Sequence, residues 1–262
     1  MNQLLIDAGN TRLKWAVLRG RRLGRTQAAD WNERNLGSVT RTAFRGRFER
    51  VLVCSVAGAV LEGALRRAAR AAGLPAPQFI RSTRHAAGVR NGYVQTWRLG
   101  ADRWVAMLGA RHLHPGKTLC VVDIGTALTL DLLDAQGHHR GGLLTPGPTL
   151  MVDSLLKYTA GIRHSAGARL QRSRVRRTVA ARGSGLFGRS TRAGLLSGSA
   201  LACAALIERA LGEAWGEMAA KPKLLLAGGG AAQVASLLKV PHRRVDNLVL
   251  HGLALLAAVN SR

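Results

Sequence analysis

The sequence predicts an α/β fold built from two similar halves with a cleft between them. Apolar, strand-like runs alternate with segments of helical spacing along the chain. One strand–turn motif occurs twice, as Leu5-Ile6-Asp7-Ala8-Gly9-Asn10-Thr11 and as Val121-Val122-Asp123-Ile124-Gly125-Thr126-Ala127. The two aspartates lie 116 positions apart in 262 residues, so each copy opens a stretch long enough for its own core. The division expected is 1–115 and 116–262.

Residues 4–8 and 13–18 read as two strands joined by a Gly-Asn-Thr turn. The run VLVCS at 51–55 reads as a buried strand. Helical spacing over 61–72 stops at Gly73-Leu74-Pro75, and Phe79-Ile80 is a short strand. Residues 100–112 read as a helix with Trp104, Val105, Leu108 and Leu113 on its apolar side. LCVVDI at 119–124 is a continuous buried strand. Gly125-Thr126-Ala127 turns the chain into a second strand at 128–133, and 134–137 makes the next turn. A glycine-rich strand-to-loop element, 141–147, leads into a helix over 148–157. Residues 163–192 read as loop with one short strand near Thr178. A helix over 193–212, a strand at 223–227 ending in Gly228-Gly229-Gly230, and a helix over 247–259 complete the pattern.

Apolar content of 47% argues against disorder. No apolar run reaches the roughly 18 residues of a membrane span, and the first residues enter a strand pattern with no secretory leader. Cys54, Cys120 and Cys203 stand far apart in apolar surroundings. They read as buried, reduced thiols of a cytoplasmic protein. The net charge is +25, and only six of the 39 basic residues are lysines. Alanine, glycine and arginine are all over-used, the arginines are spread along the chain, and aromatic residues are 4%. That pattern lacks the stacking platforms of a single-strand binder. It favours attraction of anionic small molecules over a specific nucleic-acid partner.

The duplicated Asp-x-Gly turn has a chemical reading. Glycine lets a ligand approach the backbone, and successive turn amides form an anion cradle. A carboxylate repels phosphate unless a cation such as Mg²⁺ stands between them. Two such hairpins across a cleft suit the polyphosphate of ATP with its metal, and Lys14 adds charge. A plain hairpin with a capping aspartate explains one copy; two copies at matching strand ends favour the phosphate reading. Gly228-Gly229-Gly230 is either a close-approach site beside a nucleotide or a tight strand-to-helix turn. Asp102, at a predicted helix start, is either a cap or a base that accepts a proton from a hydroxyl nucleophile. Arg103 beside it suits bidentate pairing with an acceptor's carboxylate. His112, His114, His138 and His139 read as bystanders at a helix end and in a turn.

Asp7-Ala8-Gly9-Asn10-Thr11, Gly100-Ala101-Asp102-Arg103, Asp123-Ile124-Gly125-Thr126-Ala127 and Gly141-Gly142-Leu143-Leu144-Thr145-Pro146-Gly147 together resemble the type III pantothenate kinases, in order and over nearly the whole chain. That family belongs to the actin-like and sugar-kinase-like ATPases, whose two ribonuclease-H-like halves agree with the repeat. The resemblance implies ATP-dependent phosphorylation of pantothenate to 4'-phosphopantothenate, the first step of coenzyme A biosynthesis, by in-line transfer with Mg²⁺. By position, it makes Asp7, Ala8, Gly9, Asn10, Thr11, Arg12, Leu13 and Lys14 the first phosphate loop and Thr126 an ATP contact. Asp102 becomes the catalytic base, and Gly100, Ala101, Asp102 and Arg103 the substrate-binding turn, joined by Tyr93. Asp123 becomes the holder of a monovalent cation, K⁺ or NH₄⁺. Thr191 becomes a substrate contact supplied by the partner subunit of a homodimer. Two other readings are another small-molecule kinase of the superfamily and a basic accessory factor for gene expression on the same fold.

Overall fold

The computed structural model describes residues 2–166, 186–218 and 220–259. The short strand expected near Thr178 lies outside them. The chain forms two compact units: 1–117 with 135–140 and 247–262, and 118–134 with 141–246. Residues 135–140 and 247–259 pack with the first unit.

The first unit is built on β1 (Asn2–Ala8), an almost wholly buried strand. It runs antiparallel to β2 (Arg12–Arg19) and parallel to β5 (Arg50–Ser55). With β3 (Arg22–Leu23) and β6 (Gln78–Ile80) the order is β3-β2-β1-β5-β6, β4 (Gln27–Asp30) pairs beside β2, and β7 (His85–Ala86) and β8 (Val89–Arg90) form a small antiparallel pair. Side chains alternate along these strands. Leu4, Ile6, Leu13, Trp15, Val51 and Val53 enter a core closed by α1 (Leu36–Ala43) and α2 (Gly58–Ala71). Leu5, Leu52 and Cys54 fall on the other face, where α3 (Ala101–Leu113) and α8 (Leu248–Val259) pack on β5 and β1. Those two helices cross at glycines. A Cβ on Gly109 would lie 2.9 Å from the Gly252 nitrogen, and one on Gly252 would lie 2.7 Å from Val105 Cγ1. This close pairing is why the last helix belongs with the first unit. Leu113, expected on the apolar side of α3, is its last residue and is exposed.

The second unit repeats the plan. β9 (Leu119–Ile124) is antiparallel to β10 (Ala127–Leu133) and parallel to β12 (Lys223–Ala227). The order is β11-β10-β9-β12-β13, with β11 (His139–Pro146, whose first two residues group with the first unit) and β13 (His242–Arg244) at the edges. Each sheet therefore sets its Asp-x-Gly strand centrally, between an antiparallel hairpin partner and a parallel strand. The core joins Val122, Ile124, Leu128 and Leu130 to Cys203, Ala204 and Ile207 of α6 (Thr191–Met218) and Val234 of α7 (Ala231–Ala235). α4 (Pro148–Tyr158) and α5 (Ala160–Ala166) add Val152, Leu156 and Ile162 against Leu195 and Leu196. Helix α6 is longer than the expected 193–212. By length and composition it is apolar enough to cross a membrane, yet its stripe of small and branched residues is what covers the second sheet.

Candidate active site

The first hairpin turns where the sequence places its glycine. Gly9 N–H donates to the Arg12 carbonyl at 3.1 Å. Asp7 and Lys14 are register partners across β1 and β2, and Lys14 Nζ stands 3.5 Å from Asp7 Oδ2. A feature with no sequence signal braces the turn. Trp31 donates its indole N–H to the Gly9 carbonyl at 2.9 Å and its backbone N–H to the Thr11 carbonyl at 3.1 Å. β4 exists to bring Trp31 there; its residues, Gln27-Ala28-Ala29-Asp30, have no strand propensity of their own. Asn10 is exposed and Thr11 half-buried.

The second element stands in the same unit. Gly100 is the N-cap of α3 and Asp102 lies in its first turn, so the aspartate is not the cap itself. Its Oδ1 accepts the Arg103 backbone N–H at 2.8 Å. A Cβ on Gly100 would lie 2.7 Å from that same Oδ1, so the glycine makes room for the carboxylate. Arg103 is 6% exposed and donates from Nη1 to the Tyr93 hydroxyl at 2.8 Å. The guanidinium carbon also lies 5.5 Å from the Tyr93 ring centre. The structure thus brings Tyr93, Arg103 and Asp102 together.

Cys54 joins the two elements. It is the Cα partner of Asp7 in the parallel pair. Burial, then the negative charges of Asp7 and Asp102, push its thiol well above the usual range, against a smaller opposing effect of Arg81. Both carboxylates therefore act on one buried sulfur at the carboxyl end of β1 and β5. That is where ligands bind in open α/β sheets. Burial raises Cys120 as well, helped by Asp131, and pushes Cys203 up to about 11. All three cysteines are free and buried, as expected.

In the second unit the Asp123 turn is packed about by glycines. Gly125 N–H donates to the Ala127 carbonyl at 2.9 Å, and Gly147 N–H to the Thr126 carbonyl at 2.8 Å. Gly228, at φ +89°, lies so close that any Cβ would overlap the Asp123 carboxylate and the Ile124 backbone. Gly230 N–H donates to the Ile124 carbonyl at 2.8 Å. The triple glycine is a tight strand-to-helix turn, and its close approach is to Asp123 and Ile124. Thr126 is exposed at the tip. Thr191 opens α6, exposed beside Ser190, whose hydroxyl accepts the Ala193 N–H at 3.1 Å. Among the described residues no three His, Cys, Asp or Glu side chains converge on a metal cage. A single, partly exposed carboxylate such as Asp7 suits Mg²⁺, which takes most of its oxygens from phosphate and water.

The family model described as type III pantothenate kinase matches residues 3–213. A type III pantothenate kinase of Aromatoleum aromaticum is 41% identical over 97% of both chains. One of Burkholderia ambifaria is 39% identical over 97% of this chain and 96% of its own. Among solved structures, a ROK family glucokinase from Streptomyces griseus, in complex with glucose and AMPPNP, superposes with a TM-score of 0.54 at 11% identity, covering 98% of this chain and 99% of that one. The PilM–PilN type IV pilus biogenesis complex gives 0.58 at 15% identity, covering 98% and 99%. These neighbours share the actin-like ATPase fold, with its duplicated ribonuclease-H-like plan. By the family model and by identity along nearly its full length, this chain belongs to the type III pantothenate kinase family.

Proposed function

We propose that the chain transfers the γ-phosphoryl group of ATP to the primary hydroxyl of pantothenate, giving 4'-phosphopantothenate for coenzyme A synthesis. The observation that carries this reading is the pairing, within one unit, of the Asp7–Lys14 hairpin with the Tyr93–Arg103–Asp102 group. Family membership supports it. Asp102 takes the proton of the attacking hydroxyl, while Arg103 with Tyr93 receives the carboxylate of pantothenate. Gly100 and Ala101 shape that turn. Asp7, Ala8, Gly9, Asn10, Thr11, Arg12, Leu13 and Lys14 form a phosphate-binding turn. Its amides and Lys14 meet the charge that spreads over the transferring group, and the divalent ion that accompanies ATP neutralises the remainder. Thr126 contacts ATP. Asp123, boxed in by Gly228, holds K⁺ or NH₄⁺.

The active form is proposed to be a homodimer in which Thr191 serves the partner's acceptor site. Leu143, Leu144, Tyr158 and Phe187, all exposed in the second unit, supply apolar surface for such a contact. The halves 1–115 and 116–262 are read as products of duplication, and the cytoplasm, with its ATP and reducing poise, as the working compartment.

A coupled assay with ATP and pantothenate tests the activity, run in potassium and in sodium alone. Turnover with a potassium requirement is expected; equal rates in the two salts would remove the cation role of Asp123. Asp102→Asn is expected to lower kcat by about 10²–10⁴, the usual worth of a general base, with ATP affinity retained. A variant with the wild-type rate would dismiss Asp102 as the base.

A further inference from the structure

We infer that His139 is a positioning residue for the acceptor: its buried ring holds Tyr93, and through Tyr93 it sets the Arg103 guanidinium that receives the substrate's carboxylate. This rests on the pantothenate reading above and adds to it a residue outside every motif.

Four observations converge on His139. It is 3% exposed, unusual for a histidine read from the sequence as part of a surface turn. Its ring stacks on Tyr93, with centroids 5.8 Å apart and planes 15° from parallel. Tyr93 in turn accepts from Arg103 Nη1. The backbone is fixed as firmly as the ring. A Cβ on Gly92 would overlap the His139 carbonyl, so residues 92 and 139 are in direct backbone contact. On the same segment, Arg90 N–H donates to the Gly137 carbonyl at 2.9 Å, and Arg111 donates to the Ala135 carbonyl. Residues 135–140 are thus tied both to Val89–Arg90, the strand that precedes Tyr93, and to α3.

The physical consequence concerns orientation. A phenol on a glycine-flanked loop has two free side-chain torsions. Stacking removes that freedom, and the hydroxyl then holds one arm of the guanidinium. An arginine fixed in this way presents its fork to a carboxylate with little further ordering. His139 touches neither the reacting hydroxyl nor the phosphates in this account, so its effect belongs to acceptor binding.

The test is kinetic, on the full-length enzyme. His139→Ala is expected to raise KM for pantothenate about tenfold, the equivalent of one lost aromatic pair. KM for ATP and kcat should stay near wild type. His139→Phe, which keeps a flat ring, should restore the pantothenate KM. If His139→Ala does not fold, judged by its melting transition, His139→Gln serves in its place, since it fills the volume but cannot stack. An unchanged pantothenate KM in the unstacked variant would overturn the inference. So would a parallel rise in both KM values, or a failure of the folded Phe variant to rescue. A wild-type enzyme that does not turn over pantothenate would overturn the function reading itself, and this inference with it; turnover with indifference to residue 139 would overturn this inference alone.

Discussion

Gly100 decides where the Asp102 carboxylate can rest. The contact that any added Cβ would make is with Oδ1, the mobile end of a side chain. Gly100→Ala is therefore expected to fold, with an unchanged melting temperature, and to push the carboxylate aside. A displacement of about 1 Å costs on the order of 10² in rate, so kcat should fall steeply while ATP binding persists; steady-state kinetics beside a melting curve separates the two. His251 carries a different consequence. Burial, and then the like charge of His112, hold its imidazole below the usual 6.5. Above that value the ring is neutral folded or unfolded, and it adds no pH dependence. As pH falls below it, the unfolded chain takes the proton first, so stability declines until the folded-state value is passed. His251→Gln should flatten the stability profile on the acid side, read from urea midpoints between pH 7.5 and pH 5. The sequence made Asp7, Asp102, Arg103 and Asp123 legible because glycine and acid together have a chemical meaning. Trp31 and His139 were not legible, because a buried ring acts through what folds against it.

At the scale of elements, the crossing of α3 and α8 is the tightest feature of the first unit. Gly109 and Gly252 leave no room for a methyl group on either side, and the nearest atoms they face are backbone, joined by the Val105 side chain. Gly252→Ala is expected to destabilise by about 1–3 kcal/mol, as overpacking of a filled core does. Chemical denaturation checks this, and a stability equal to wild type would mean that the helices can separate at little cost. From sequence, a glycine inside a helix reads as a weakness; its use as a contact surface depends on a partner some 140 positions away. Long, apolar elements such as β1, β5 and β9 were legible for the opposite reason, since burial on both faces writes a continuous run. Short edge elements such as β4 and β13 were not, because their pairing is dictated by neighbours.

For the whole molecule the dominant quantity is charge. A protein at +25 attracts ATP and pantothenate, both anions, over a distance set by the screening length. Raising ionic strength from about 20 to 200 mM at fixed potassium shortens that length roughly threefold. It should lower kcat/KM for both substrates while leaving kcat in place; stopped-flow or initial-rate measurements would show it, and salt-independent kcat/KM would mean that the arginines do not steer. The duplicated topology was legible at this scale from two aspartates, whereas the return of residues 247–259 to the first unit was not. That return has a temporal meaning. A ribosome makes Gly109 some 140 residues before Gly252, so α3 reaches its sheet well before the glycine-lined helix that locks it there has been made. The close helix pair of the first unit is thus the last part of it that synthesis can complete.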